Sequence, residues 1–132
     1  MADARFTLAL GNFEKALSRL HEALALPESE IVRDALIQRF EFTFETGWQA
    51  AYWWLQVRGA GVPKEAFQVL PRAFANGLIA DEGAWNELRQ KRNLTSHTYQ
   101  EQVAVDVAAF VRATGVRCFD ELLAALKARA DE

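Results

Sequence analysis

The sequence predicts an all-helical chain: four main helices and a short extra helical segment, folded as a single domain over residues 1–132. Three observations point that way. Apolar residues recur at helical spacing between sparse breakers. Only Pro27, Pro63 and Pro71 interrupt the chain as prolines, and glycines gather near the same places, at Gly59, Gly61, Gly77 and Gly83. No run alternates apolar and polar residues as a half-buried strand would. With 51% hydrophobic and 25% charged residues, the composition is that of a globular domain, and the length suffices for a core without disulfide or metal staples.

The elements follow in order. A first helix is expected over about Arg5 to Ala25, with Phe6, Leu10, Phe13, Leu17, Leu20 and Leu24 on one face. Pro27 and the acidic Glu28-Ser29-Glu30 form a loop. A long second helix runs from about Ile31 to Arg58 and stops at Gly59. A helical stretch from Lys64 to Asn76 is expected to be broken by Pro71 and ended by Gly77. Asp81 is placed to N-cap a third main helix through Lys91. Thr98-Tyr99-Gln100-Glu101 reads as a capping box opening a fourth helix, which continues to about Arg112 and then resumes or bends near Gly115 toward Ala128.

The second helix is apolar on two faces. Leu36, Phe40, Phe44, Gly47, Trp48, Ala51, Trp54 and Leu55 form a broad stripe, while Ala35, Phe42, Thr46 and Trp53 fall roughly opposite. Few helices are available to surround it, so one face is expected to meet a second copy in a homodimer.

Composition narrows the function. A net charge of −3 makes the whole chain a poor polyanion binder, so any nucleic-acid site must be a local patch. One cysteine, Cys118, rules out an intrachain disulfide or a cysteine cluster. The acidic residues show no metal-ligand spacing, so no metal or cofactor is expected. No membrane span is expected, and no secretory leader either, since Asp3 and Arg5 would interrupt a basic-then-apolar pattern early. A cytoplasmic location is the expectation.

The densest polar cluster runs from Arg89 to Tyr99. Arg92 would lie at the end of the third main helix and His97 just before the fourth, at a corner that presents free backbone N–H groups. Neutral histidine is the natural general base near pH 7, and arginine the natural partner of a phosphate. Together they suit metal-free attack of a ribose 2′-OH on its own phosphate. Arg89, Lys91, Asn93 and Ser96 are candidate binding groups around the pair. The plainer alternative has Arg92 contacting helix-end carbonyls and His97 packing at a turn. His21 stands alone on the first helix. Arg39, Thr43 and Glu45 are expected to make internal hydrogen bonds or a salt bridge, and Trp85 to be core.

Two stretches carry a family resemblance. Arg39-Phe40-Glu41-Phe42-Thr43-Phe44-Glu45-Thr46-Gly47-Trp48 resembles the first signature of the nucleotidyltransferase substrate-binding protein family. Gly77-Leu78-Ile79, Asp81, Trp85 and Arg92-Asn93-Leu94-Thr95-Ser96-His97-Thr98-Tyr99 resemble the second. That family lies in the HEPN superfamily and is similar to the HepT toxins, whose R-x-x-x-x-H-x-Y motif this chain carries at Arg92, His97 and Tyr99. The resemblance implies an antiparallel four-helix bundle, a homodimer, and a minimal nucleotidyltransferase partner from another gene. It implies either a ribonuclease toxin, with Arg92 and His97 catalytic and Tyr99 silenced by AMPylation, or a noncatalytic subunit that binds nucleotide or another substrate for its partner. The chain lacks the G-S…D-x-D elements of a nucleotidyltransferase, so nucleotidyl transfer by this chain alone is not expected.

Overall fold

A computed structural model describes residues 3–132, and the described residues are helical with no strand. The elements are α1 (Ala4–Leu24), α2 (Glu30–Val57), α3 (Ala66–Ala75), α4 (Glu82–Leu94), α5 (Glu101–Phe110) and α6 (Val116–Ala128). A short 3₁₀ turn, Thr95–His97, follows α4, and a π-helical turn, Val111–Gly115, joins α5 to α6 into one continuous helix.

The caps account for the boundaries. The Asp3 carboxylate accepts from the backbone N–H of Arg5 and Phe6, at 2.8 and 3.3 Å. Ser29 accepts from Val32 at 3.0 Å, and Asp81 from Ala84 at 3.0 Å, each satisfying a free N–H of its helix start. At the end of α3, Gly77 takes φ +79° and lets Leu78 donate back to the Ala73 carbonyl at 2.9 Å, a reversal that favours glycine.

Two expectations are corrected. Pro71 does not break the third stretch; it lies inside α3. Val69, Leu70 and Ala73 bury the inner face of that helix, while Pro71 and Phe67, whose carbonyl loses its i+4 donor, lie on the exposed side. The missing hydrogen bond is thus left to water. The capping box at Thr98 does not form either. Because the 3₁₀ turn prolongs α4, Thr98 is drawn back and its hydroxyl donates to the Thr95 carbonyl at 3.1 Å. The fourth main helix begins at Glu101, with Gln100 making no side-chain cap.

α1 and α2 form an antiparallel hairpin, as the pairings Arg5 with Trp53, Phe13 with Gly47 and Arg19 with Arg39 show. Gly47 is needed at the crossing: a Cβ there would sit 3.0 Å from the Phe13 ring. α6 closes the bundle against α1 through His21–Asp120 at 2.7 Å and the Lys127–Glu14 pair. His21 is therefore a helix-to-helix tie rather than a solitary group.

The four main helices meet at Phe119, which is fully buried. Its ring packs on Phe13 from α1, Phe40 from α2 and Trp85 from α4, with centroids 6.3, 6.0 and 5.6 Å away. Such aromatic contacts add to simple area burial. Phe119→Ala should cost about 3–5 kcal/mol of stability, read as a lowered urea midpoint with helical content retained in the folded baseline.

Candidate functional site

The corner between α4 and α5 carries the polar residues that the sequence singled out. Arg92 lies in the last turn of α4, with Asn93 beside it. Ser96 and His97 lie in the 3₁₀ turn, and Tyr99 follows before α5. His97 is exposed, and Tyr99 is 79% exposed. Their rings meet edge to face, with centroids 6.0 Å apart. The His97 imidazole makes no hydrogen bond to the described residues.

Arg92 is held from α2. Its Nε donates to Glu45 Oε1 at 3.1 Å, and its Nη1 lies 3.4 Å from Glu41 Oε2. Nη1 also donates to the Thr95 hydroxyl at 2.9 Å, which in turn donates to the Arg92 carbonyl at 2.7 Å. Glu45 is fixed in its own right, because Trp48 Nε1 donates to its second oxygen at 3.0 Å. A guanidinium has five N–H donors in a planar fork. Nε and Nη1 are engaged, and Nη2 donates to none of the described residues.

The two carboxylates differ in grip. Glu45 bridges Arg92 to a buried indole. Glu41 contacts only the guanidinium, at the longer distance, and also lines a 520 Å³ cavity shared with Asp34, Gln38 and Thr98. Glu41 was not singled out by sequence. Its signal is an acidic pair at i and i+4, Glu41 and Glu45, on a helix otherwise apolar around it.

The remaining candidates take minor places. Ser96 Oγ donates to the Asn93 carbonyl at 3.3 Å, closing the turn on itself. Lys91 lies over the Phe110 ring at 5.8 Å, and Arg89 is half-buried one turn before Arg92. Arg39 donates to the Arg19 carbonyl at 2.7 Å and pairs with Glu22, and Thr43 donates to the Arg39 carbonyl. These are internal bonds, as expected. Trp85 is 2% exposed and belongs to the core, stacked near Phe44. Among the described residues no group of three or more histidine, cysteine or acidic side chains is placed to hold a metal, and no helix is long and apolar enough to cross a membrane. Cys118 is buried, and burial pushes its thiol up to about 11, far from the thiolate a nucleophile needs at neutral pH.

With this geometry in view, comparison with known proteins places the chain among relatives. Residues 8–128 match the family described as nucleotidyltransferase substrate binding protein like. A probable ribonuclease HepT of Haemophilus influenzae is 34% identical over 90 residues, and the match spans 62% of this chain and 62% of that relative. A crystal structure from Thermus thermophilus is 31% identical, with a TM-score of 0.71 over 91% of this chain and 99% of that one. A Haemophilus influenzae protein described as having the fold of a substrate-binding domain of a nucleotidyltransferase aligns at 24% identity, TM-score 0.74, over 89% and 98% of the two chains. A tri-AMPylated Shewanella oneidensis HEPN toxin, solved with its MNT antitoxin, aligns at 16% identity, TM-score 0.76, over 96% and 99%. The last two likenesses are likenesses of fold.

The unequal grip of the two carboxylates can be measured. Glu45→Ala strands the buried Trp48 N–H and frees Arg92, and should cost about 1–3 kcal/mol. Glu41→Ala removes one partly exposed ion pair and should cost about 1 kcal/mol or less. Chemical denaturation of the two variants tests the ranking; equal losses would refute it.

Proposed function

The chain belongs to the nucleotidyltransferase substrate-binding-protein-like family, and from that premise we propose that it is the HEPN-type partner subunit of a minimal nucleotidyltransferase and acts as a metal-independent endoribonuclease. The observation that carries this reading is the α4–α5 corner: an arginine oriented by Glu45 and Thr95, with an exposed and unpartnered histidine in the turn that follows it. The likeness to a probable ribonuclease HepT and, in fold, to a HEPN toxin bound to an MNT antitoxin supports it.

In the proposed reaction His97 takes the proton of a ribose 2′-OH as that oxygen attacks the adjacent phosphorus. The P–O5′ bond breaks, leaving a 2′,3′-cyclic phosphate on one fragment and a 5′-OH on the other once the leaving oxygen is protonated. The free Nη2 edge of Arg92 faces the charge that grows on the phosphoryl oxygens. A homodimer would bring two such corners around one cleft. The partner nucleotidyltransferase would silence the site by transferring AMP from ATP to the Tyr99 hydroxyl with release of pyrophosphate. An anionic adduct on so exposed a ring would obstruct the RNA phosphate by charge and volume.

One observation favours a second reading. Glu41 and Glu45 together outweigh the single charge of Arg92, which lowers the affinity of the corner for a polyanion. In that reading the subunit binds nucleotide or acceptor substrate for its partner and cleaves nothing.

His97→Ala should abolish RNA cleavage with the thermal midpoint unchanged, and EDTA should leave the wild-type rate intact. Cleavage that persists in the variant, or stops with EDTA, contradicts the mechanism. Incubation with the cognate nucleotidyltransferase and ATP should add AMP mass to the Tyr99 peptide and to no peptide of Tyr99→Phe. Light scattering at micromolar concentration should give the mass of a dimer. Absence of cleavage, together with nucleotide-dependent binding to the partner, would select the second reading.

A further inference from the structure

The outer side of the α1–α2 hairpin carries a groove that the corner chemistry does not use. Two cavities of about 240 Å³ each run end to end along it and share Asn12 and Thr46. The floor holds Phe42, 54% exposed, and the half-buried Trp53. These two aromatics belong to the second apolar face of α2. The bundle does not fully cover that face, which leaves it open to something outside this chain's own core.

The rim is basic. Arg5 lies over the Trp53 ring at 4.6 Å and Lys64 at 5.4 Å. Lys15 and Arg19 stand one turn apart on α1, both exposed, with no carboxylate partner among the described residues. Arg39 completes the row. Asp3 and Glu22 are the carboxylates paired with these five cations. In a chain of net charge −3 this is the segregated basic patch that a nucleic-acid reading requires.

We propose that this groove binds single-stranded RNA, its phosphates along the Lys15–Arg19–Arg39 row and its bases against Phe42 and Trp53. Positive grooves floored by aromatic rings are the general means of holding single strands. Phe42 and Trp53 are eleven residues apart on α2, about 16 Å along the axis, a span for several nucleotides. An acidic peptide would use the cations but leave Phe42 idle. A second copy seated by two-fold symmetry would set this cationic row against itself. The groove adjoins the corner: by helical phase, Phe42 and Thr46 lie roughly 100° around α2 from Glu41 and Glu45. The proposal goes beyond the cleavage reading and shares with it only the choice of RNA.

The test is fluorescence anisotropy with a labelled, unstructured RNA of about 12 nucleotides, using the full chain carrying His97→Ala so that no probe is cut. Lys15→Glu with Arg19→Glu should weaken binding roughly tenfold or more at low salt and flatten the salt slope by about 1.4. Phe42→Ala should weaken it roughly tenfold while leaving the salt slope unchanged. All three positions are exposed, so folding should persist, and circular dichroism checks this. No binding by the parent chain overturns the proposal. So do binding that ignores both variants, equal binding of polyglutamate, and a dimer in light scattering that Lys15→Glu with Arg19→Glu splits into monomers. Cleavage without groove-dependent binding sinks this inference alone; groove-dependent binding by a chain that cleaves no RNA sinks the ribonuclease reading alone.

Discussion

Every other helix packs on α2, so the circumference of one helix is the constraint on which the rest depends. Taken at about 100° per residue, that circumference divides into three sectors. Leu36, Phe40, Phe44, Gly47, Trp48, Trp54 and Leu55, with Thr43 and Ala50 at the margin, give nearly half of it to the core. Glu41 and Glu45 form a narrow acidic edge that meets Arg92. Phe42, Thr46, Gln49 and Trp53 form the floor of the outer groove. A change of phase anywhere in α2 would disturb all three sectors at once. Its continuity from the Ser29 cap to the Gly59 stop is therefore also what keeps the corner and the groove in register.

The fold was largely legible because its signals are local. Helical spacing and glycine stops placed α1, α2 and α4 to within a few residues, and Asp81 was legible as a cap. Two failures came from context that spacing along the chain does not report, one tertiary and one local. Proline was read as a breaker at Pro71, but a helix anchored by Val69, Leu70 and Ala73 tolerates the loss of one solvent-side bond. Thr98 and Glu101 have the right spacing for a capping box, but the 3₁₀ turn claims the Thr98 hydroxyl first. No pattern along the chain reports such competition between neighbouring turns.

The candidate corner was legible as a set of neighbouring residues and not as an arrangement. Arg92, His97 and Tyr99 stand close in sequence, and the structure holds them at one corner. What fixes Arg92 comes from α2, forty-seven positions away in the case of Glu45, and nothing in the local spacing joins the two. The groove was hidden for the opposite reason. Phe42 and Trp53 read as a face for a second copy, because a helix apolar on two sides is ordinarily buried on both. Within a single chain Phe42 lies outside the core, with cations of α1 and of the loop after α2 around the pair, a basic rim that the apolar spacing along α2 does not report.

The π-helical turn at Val111–Gly115 has a consequence for motion. A π turn interrupts the regular hydrogen-bond ladder of an α-helix, so the α5–α6 rod can divide into two halves at its middle, although Val111 and Gly115 are themselves buried. The two halves have unequal anchorage: α6 contributes Phe119, Leu122 and Leu126 to the core, while α5 contributes smaller groups, Ala104, Val107 and Ala108, with Phe110 at its end. Amides of α5 can then open to hydrogen exchange without unfolding α6. The loop that carries Tyr99 is joined to the α5 half, so an opening there would leave the aromatic centre of the bundle closed.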